Sequence, residues 1–228
     1  MRLLVSPSSI EEARSALAAD IIDVKKPSEG SLGANFPWVI RAIKEMAEKP
    51  VSAAIGDFDY KPGGAALAAY GAACAGADYI KVGLMFDGKE KAYELSRAVV
   101  KAVKDEFPEK IVVIAAYSDY QRLGTISPFV AAEAAADAGA DVAMIDTGKK
   151  DGKSTFAFMD ADMLAAFTAK NRSLGVETAL AGSLKFEDLT ALKTIDPEII
   201  GVRGMVCGGD RTDAIRPELV EKALAMLR

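Results

Sequence analysis

Gly76-Ala77-Asp78-Tyr79-Ile80-Lys81 and Gly139-Ala140-Asp141-Val142-Ala143-Met144-Ile145-Asp146 are two copies of one pattern: a helix-ending Gly-Ala-Asp that runs into an apolar strand closed by a charge. Ala19-Asp20-Ile21-Ile22-Asp23-Val24-Lys25 is a third, looser copy. Aligned on Asp20, Asp78 and Asp141, the copies fix a register. Side chains alternate faces along a strand, so the positions three and five residues past each aspartate share a side. Those positions hold Asp23 and Lys25, Lys81 and Gly83, Met144 and Asp146.

Outward from these copies, short β-branched runs alternate with longer Ala- and Glu/Lys-rich segments of helical spacing. Strands are expected at 3–5, 21–24, 51–55, 79–82, 111–115, 142–145, 176–179 and 199–202. Helices are expected at 10–19, 37–47, 64–75, 89–106, 128–138, 160–173, 186–192 and 217–227. Ser8-Ser9 before Glu11-Glu12, Ser127-Pro128 and Arg216-Pro217-Glu218 carry helix-start signals. About eight strand-helix units without a Gly/Ser linker imply a single-domain (β/α)8 TIM barrel over residues 1–228. A doubly wound open sheet is the competing fold, but the first strand-to-helix turn, Ser6-Pro7-Ser8-Ser9, lacks the dinucleotide-binding glycines.

Composition narrows the chemistry. The chain of 228 residues is 50% hydrophobic and carries 28 Lys+Arg against 33 Asp+Glu, a net charge of −5. With a pI near 5.0 it offers no general surface for nucleic acid or an anionic membrane. The opening Met1-Arg2-Leu3-Leu4-Val5 is too short for a secretory core and no apolar run reaches membrane-span length, which predicts a cytoplasmic protein. Cys74 and Cys207 make no disulfide framework. There is no histidine. Serine-histidine and cysteine-histidine nucleophiles and His-ligated zinc are thereby excluded, and proton transfer near neutral pH falls to Lys, Asp, Glu, Tyr or Cys.

Asp23, Lys25, Lys81 and Asp146 therefore share one parity at the C-terminal strand ends, where barrel active sites are built. Strand ends are also often merely polar. Buried unpaired, these charges would each cost several kcal/mol, whereas alternating ammonium and carboxylate groups offset much of that cost. A lysine in a partly dry pocket beside another ammonium titrates nearer ~7 to 8 and becomes a nucleophile toward carbonyls. The iminium it forms is an electron sink for making and breaking carbon-carbon bonds, with neither metal nor organic cofactor. Lys26 has the wrong parity for that role, and Lys81 is a second acid/base candidate. Lys149, Lys150 and Lys153 lie in the loop after strand six.

Ala181-Gly182-Ser183-Leu184 follows strand seven, and Arg203-Gly204-Met205-Val206-Cys207-Gly208-Gly209-Asp210-Arg211 follows strand eight. Glycine lets backbone N–H groups converge on an anion at this place in a barrel, so Gly182, Ser183, Gly204, Gly208 and Gly209 with Arg203 are candidates for a substrate phosphate. Trp38 is expected to pack, and Tyr117 and Tyr120 are expected in the loop after strand five.

The run Asp23-Val24-Lys25-Lys26-Pro27-Ser28-Glu29-Gly30-Ser31-Leu32-Gly33-Ala34-Asn35-Phe36-Pro37-Trp38 closely resembles the (5-formylfuran-3-yl)methyl phosphate synthase family of methanofuran biosynthesis. The likeness continues through Tyr60-Lys61-Pro62-Gly63, the segment 76–83, Asp146-Thr147 with Lys150, and Gly201-Val202-Arg203-Gly204. It implies a barrel lyase that condenses two molecules of glyceraldehyde 3-phosphate into a furan aldehyde phosphate, losing phosphate and water. Lys25 would then form the Schiff base and Lys81 accept a proton, with Asp23, Asp146 and Lys150 in support. On this expectation, one triose is isomerised towards its ketone and activated at Lys25 for phosphate elimination and addition to the second aldehyde. A class I aldolase for another sugar phosphate, or a silent phosphometabolite-binding barrel, are the rival readings. The sequence leaves the oligomeric state open.

Overall fold

In the computed structural model, which describes residues 1–228, the strand-leading acids explain the repeat. Asp20 accepts a hydrogen bond from Leu3 N–H at 2.8 Å, Asp78 from Val51 N–H at 2.8 Å and Asp141 from Val112 N–H at 2.7 Å. Each acid thus caps the start of the strand before its own and satisfies a backbone donor at the barrel floor. Glu198, which accepts from Thr178 N–H at 2.8 Å, makes a fourth copy. The molecule is built as four such strand pairs.

Eight parallel strands close into a barrel in sequence order. They are β1 (Arg2–Val5), β2 (Ile21–Val24), β3 (Val51–Phe58), β4 (Tyr79–Leu84), β5 (Ile111–Tyr117), β6 (Val142–Asp146), β7 (Glu177–Leu180) and β8 (Ile199–Val202). The helices are α1 (Ile10–Ser15), α2 (Pro37–Met46), α3 (Pro62–Cys74), α4 (Lys89–Lys104), α5 (Tyr120–Leu123), α6 (Pro128–Ala138), α7 (Ala161–Ser173), α8 (Leu189–Ile195) and α9 (Pro217–Leu227). Proline fills the first helical turn of α2, α3, α6 and α9, where its missing N–H costs nothing. Ser9, Ser127 and Asp160 accept N-capping hydrogen bonds on α1, α6 and α7.

Several expectations change, among them the helix expected at 186–192, which is a 3-10 turn at Phe186–Asp188 followed by α8. The first helix is shorter than 10–19 and ends at Ser15, and Trp38 lies 65% exposed, stacked on Phe36 at 4.5 Å, instead of packing inward. β3 also runs three residues past the expected end, through a bulge between Ala54 and Gly56. Gly56 takes φ +135°, and the extra residue flips the parity of the rest of the strand, which pairs Asp57 with Gly83.

The apolar core has two parts. The larger, of 58 residues, lies between strands and helices, and the smaller, of 12, lies in the lumen, most of it low down around Ile21, Tyr79, Val142 and Ile199. The small lumen cluster is the consequence of a polar layer above it, where the charged strand ends begin.

Candidate active site

The positions three past each leading acid, Asp23, Lys81, Met144 and Gly201, come from the four even strands and form one layer across the lumen. Asp23 and Lys81 are fully buried, at 0% and 1% exposure. Lys81 Nζ donates to both Asp23 oxygens at 2.8 Å, and Ser52 and Ser6 hydroxyls donate to them at 2.7 and 2.8 Å. Burial pushes the Asp23 carboxyl up, but the ammonium groups of Lys81 and Lys25 more than reverse this and hold it below its ordinary value.

One layer higher stand Lys25, Gly83, Asp146 and Arg203. Asp146 is ion-paired with Lys150, which also donates to Thr147 Oγ1 at 3.0 Å. Burial raises the Asp146 carboxyl, yet Lys150 and Lys25 bring it net below the usual range. Lys25 differs from the other two amines: its Nζ has no hydrogen-bond or ion-pair partner, although the residue is only 7% exposed. Desolvation lowers its pKa from 10.5 to about 8, against the pull of Asp146 and Asp23 and with help from Lys81 and Lys150. A free, partly deprotonated amine beside two ion-paired lysines can act as a nucleophile toward a carbonyl.

These residues open onto a cavity of about 760 Å³. Its wall carries seven lysine and arginine side chains against three aspartates, in a chain of net charge −5, so it is a locally basic cavity suited to an anion. The β7 and β8 loops form the far side. Gly182 and Ser183 both take positive φ, +101° and +49°, and their N–H groups have no acceptor within the chain. They are free to meet an anion. Gly208 and Gly209 line the cavity too, but their N–H groups are both spent on the Gly204 carbonyl, so they shape the turn.

Arg203 is likewise committed. It donates to Glu12 at 2.9 and 3.1 Å, to the Ser6 carbonyl at 2.7 Å and to the Arg211 carbonyl at 2.7 Å, which leaves one of its five N–H groups. Its place is to brace the β8 loop against β1. The guanidinium groups free to meet a ligand belong to Arg211, which lines the cavity half-buried, and to the more exposed Arg216; neither has an ion pair or side-chain hydrogen bond.

Sequence reasoning missed Asp57 and misplaced Tyr117. Tyr117 is the last residue of β5, not a loop residue, and is fully buried with its hydroxyl donating to Asp57. Burial, then the Asp57 charge, pushes its phenol well above the ordinary value, so it stays a donor. Gly56 within the strand was the available signal for the bulge that turns Asp57 inward. Lys149 and Lys153 lie outside the cavity wall, as does Tyr120, while Lys26 pairs with Glu29 at 2.7 Å.

A closed parallel barrel with a lysine-carboxylate cluster opening onto a cavity at the C-terminal strand ends has the architecture of a TIM-barrel enzyme. By sequence, the chain belongs to the 4-HFC-P synthase family, whose model matches residues 3–224. It is 60% identical over 230 residues to the (5-formylfuran-3-yl)methyl phosphate synthase of Methanosarcina barkeri, covering 99% of this chain and 98% of that one. It is 53% identical to the synthase of the same name from Methanocaldococcus jannaschii, covering 97% of each. Among solved structures it is similar to 3-hexulose-6-phosphate synthase from Salmonella typhimurium, with TM-score 0.67, 18% identity and coverage of 100% of both chains. Orotidine 5'-monophosphate decarboxylase from Methanocaldococcus jannaschii gives TM-score 0.71 at 15% identity, covering 100% and 98%. These last two bear on the fold alone.

Proposed function

We propose that the chain is a (5-formylfuran-3-yl)methyl phosphate synthase, a Schiff-base lyase that makes the furan of methanofuran from two glyceraldehyde 3-phosphates. The observation that carries this reading is the unpaired, partly deprotonated amine of Lys25 facing a cation-lined cavity large enough for two triose phosphates.

The carbon skeleton assigns the steps. The ring carbon that bears the phosphomethyl arm is flanked by two ring carbons, so it descends from a ketone carbon, and the acceptor is the ketone isomer of the triose. One glyceraldehyde 3-phosphate is first isomerised to that ketone, its C2 proton passing to C1 and its C2 hydroxyl proton to the C1 oxygen, and the bond then forms at the ketone carbon and not at an aldehyde. Lys25 condenses with that ketone, water leaves, and the iminium carbon becomes the electrophile. A second glyceraldehyde 3-phosphate loses its C2 proton to a nearby base, its C3–O bond breaks, and the electron pair leaves with phosphate. The enol so formed attacks the Lys25 iminium through its terminal carbon. Closure of the primary hydroxyl onto the other carbonyl, loss of a second water, and departure of the Lys25 amine complete the ring. Two trioses thus give one furan phosphate, one inorganic phosphate and two waters.

Asp23 holds Lys81 at the lumen floor and Asp146 holds Lys150 at the rim, placing an ammonium on each side of Lys25 to pass protons. Gly182, Ser183 and Arg211 receive phosphate, with Gly204, Gly208, Gly209 and Arg203 shaping the rim. The scheme calls for no metal or organic cofactor.

Incubation with glyceraldehyde 3-phosphate alone tests the reading. A furan absorbance that rises with equimolar inorganic phosphate supports it. A reversible sugar phosphate product identifies an aldolase, and binding without turnover identifies a sensor; either result overturns it.

A further inference from the structure

The cavity is lopsided. β3 and β5 contribute nothing to its wall and β4 only Lys81, although all eight strand ends meet at the mouth. The missing half is filled by the segment after β2. Lys26 N–H closes this loop on the Gly33 carbonyl at 2.9 Å, and Ser31 Oγ reaches across the barrel to the Thr147 carbonyl at 2.8 Å. Between these anchors Leu32 enters the lumen at 0% exposure, and its N–H donates to Asp57 at 3.0 and 3.2 Å. Asp57 also accepts the Tyr117 hydroxyl. Beneath them β4 carries Gly83, where a Cβ would overlap the Tyr117 hydroxyl and lie 2.9 Å from Leu32 Cδ1. Leu32, Asp57 and Tyr117 thus form a fitted plug over one half of the active site.

We propose that this plug determines the reaction's outcome by holding the enol intermediate away from water until it meets the Lys25 iminium. The inference rests on the reaction proposed above. Once phosphate has left, the enol has two fates. Attack on the iminium forms the carbon-carbon bond. If instead its terminal carbon takes a proton from water, the product is methylglyoxal, so that glyceraldehyde 3-phosphate has split into methylglyoxal and inorganic phosphate with no other reactant. A closed, dry half-lumen on the side of Lys81 favours the first fate. Tyr117, Asp57 and Gly83 are positioning residues here.

The test measures inorganic phosphate, furan and methylglyoxal, the last trapped as its quinoxaline, above enzyme-free controls. Tyr117→Phe removes one hydroxyl, and Gly83→Ala pushes that hydroxyl off Asp57. In both, the methylglyoxal-to-furan ratio rises about fivefold over its wild-type value, the scale of one lost buried hydrogen bond, and phosphate exceeds furan. Methylglyoxal accounts for the excess. Asp57→Asn keeps an oxygen for Leu32 N–H and gives a smaller rise. All three keep borohydride trapping on Lys25, which checks that they fold and bind triose. If phosphate and furan stay equimolar in Tyr117→Phe and Gly83→Ala while rates merely fall, the proposal is overturned. A wild-type enzyme that makes no furan and traps nothing at Lys25 instead removes the parent reading, a separate result.

Discussion

Lys81 Nζ lies 2.8 Å from each carboxylate oxygen of Asp23, with both residues fully buried in the lumen, while the neighbouring Lys25 amine has no partner. The pairing sorts the two lysines chemically. One is ion-paired to a carboxylate, and the other is left to lose its proton.

The first consequence is a pH profile. The Lys25 pKa is lowered to about 8, so its neutral amine grows as pH rises through that value. kcat/KM for furan formation should climb with pH through about 8 and level off above it. Asp146→Asn removes a carboxylate that supports the Lys25 ammonium, and should move the ascending limb to lower pH.

The Asp23–Lys81 pair should show strong non-additivity. Lys81→Met leaves a buried carboxylate unpaired and should cost about 3–5 kcal/mol in denaturant unfolding. Asp23→Asn with Lys81→Met together should recover most of that stability and none of the activity. Equal losses that simply add would contradict the pairing.

Arg203 and Arg211 should separate stability from binding. Arg203→Ala strands Glu12 in a largely buried site and should lower stability by about 2–4 kcal/mol. Arg211→Ala should leave unfolding nearly unchanged and raise KM for the triose about 10- to 100-fold, the value of a charged hydrogen bond. Steady-state kinetics beside urea titration reads both.

Acid should unfold the protein through its depressed carboxylates. Asp23, Asp146 and Glu12 all have folded pKa values below their ordinary 3.8 to 4.5. Their stabilisation is complete above those ordinary values and is lost as pH falls through the lowered ones. Stability should thus be flat from about pH 5 upward on their account and fall below about pH 4. Asp23→Asn should flatten that fall.

Much of this site was legible because its geometry is local. Three leading aspartates each fixed the parity of one even strand, and parity alone brought Asp23, Lys25, Lys81 and Asp146 to one side. The fourth copy escaped notice because Pro197-Glu198 stands where the others have Gly-Ala-Asp or Ala-Asp, although Glu198 makes the same hydrogen bond. Asp57 was hidden by a bulge that inverts the alternation, and Tyr117 by a strand two residues longer than its β-branched run. Arg203 read as an anion ligand because sequence shows its charge but not Glu12, 191 residues away, that holds it. Long-range partners decide such roles.

The most direct measurement is the mass of the peptide bearing Lys25 after borohydride reduction with triose phosphate. A reduced triose phosphate adduct on Lys25, absent in Lys25→Ala, is the predicted result. An adduct on Lys81 or Lys150, or on no lysine at all while furan still forms, would contradict it.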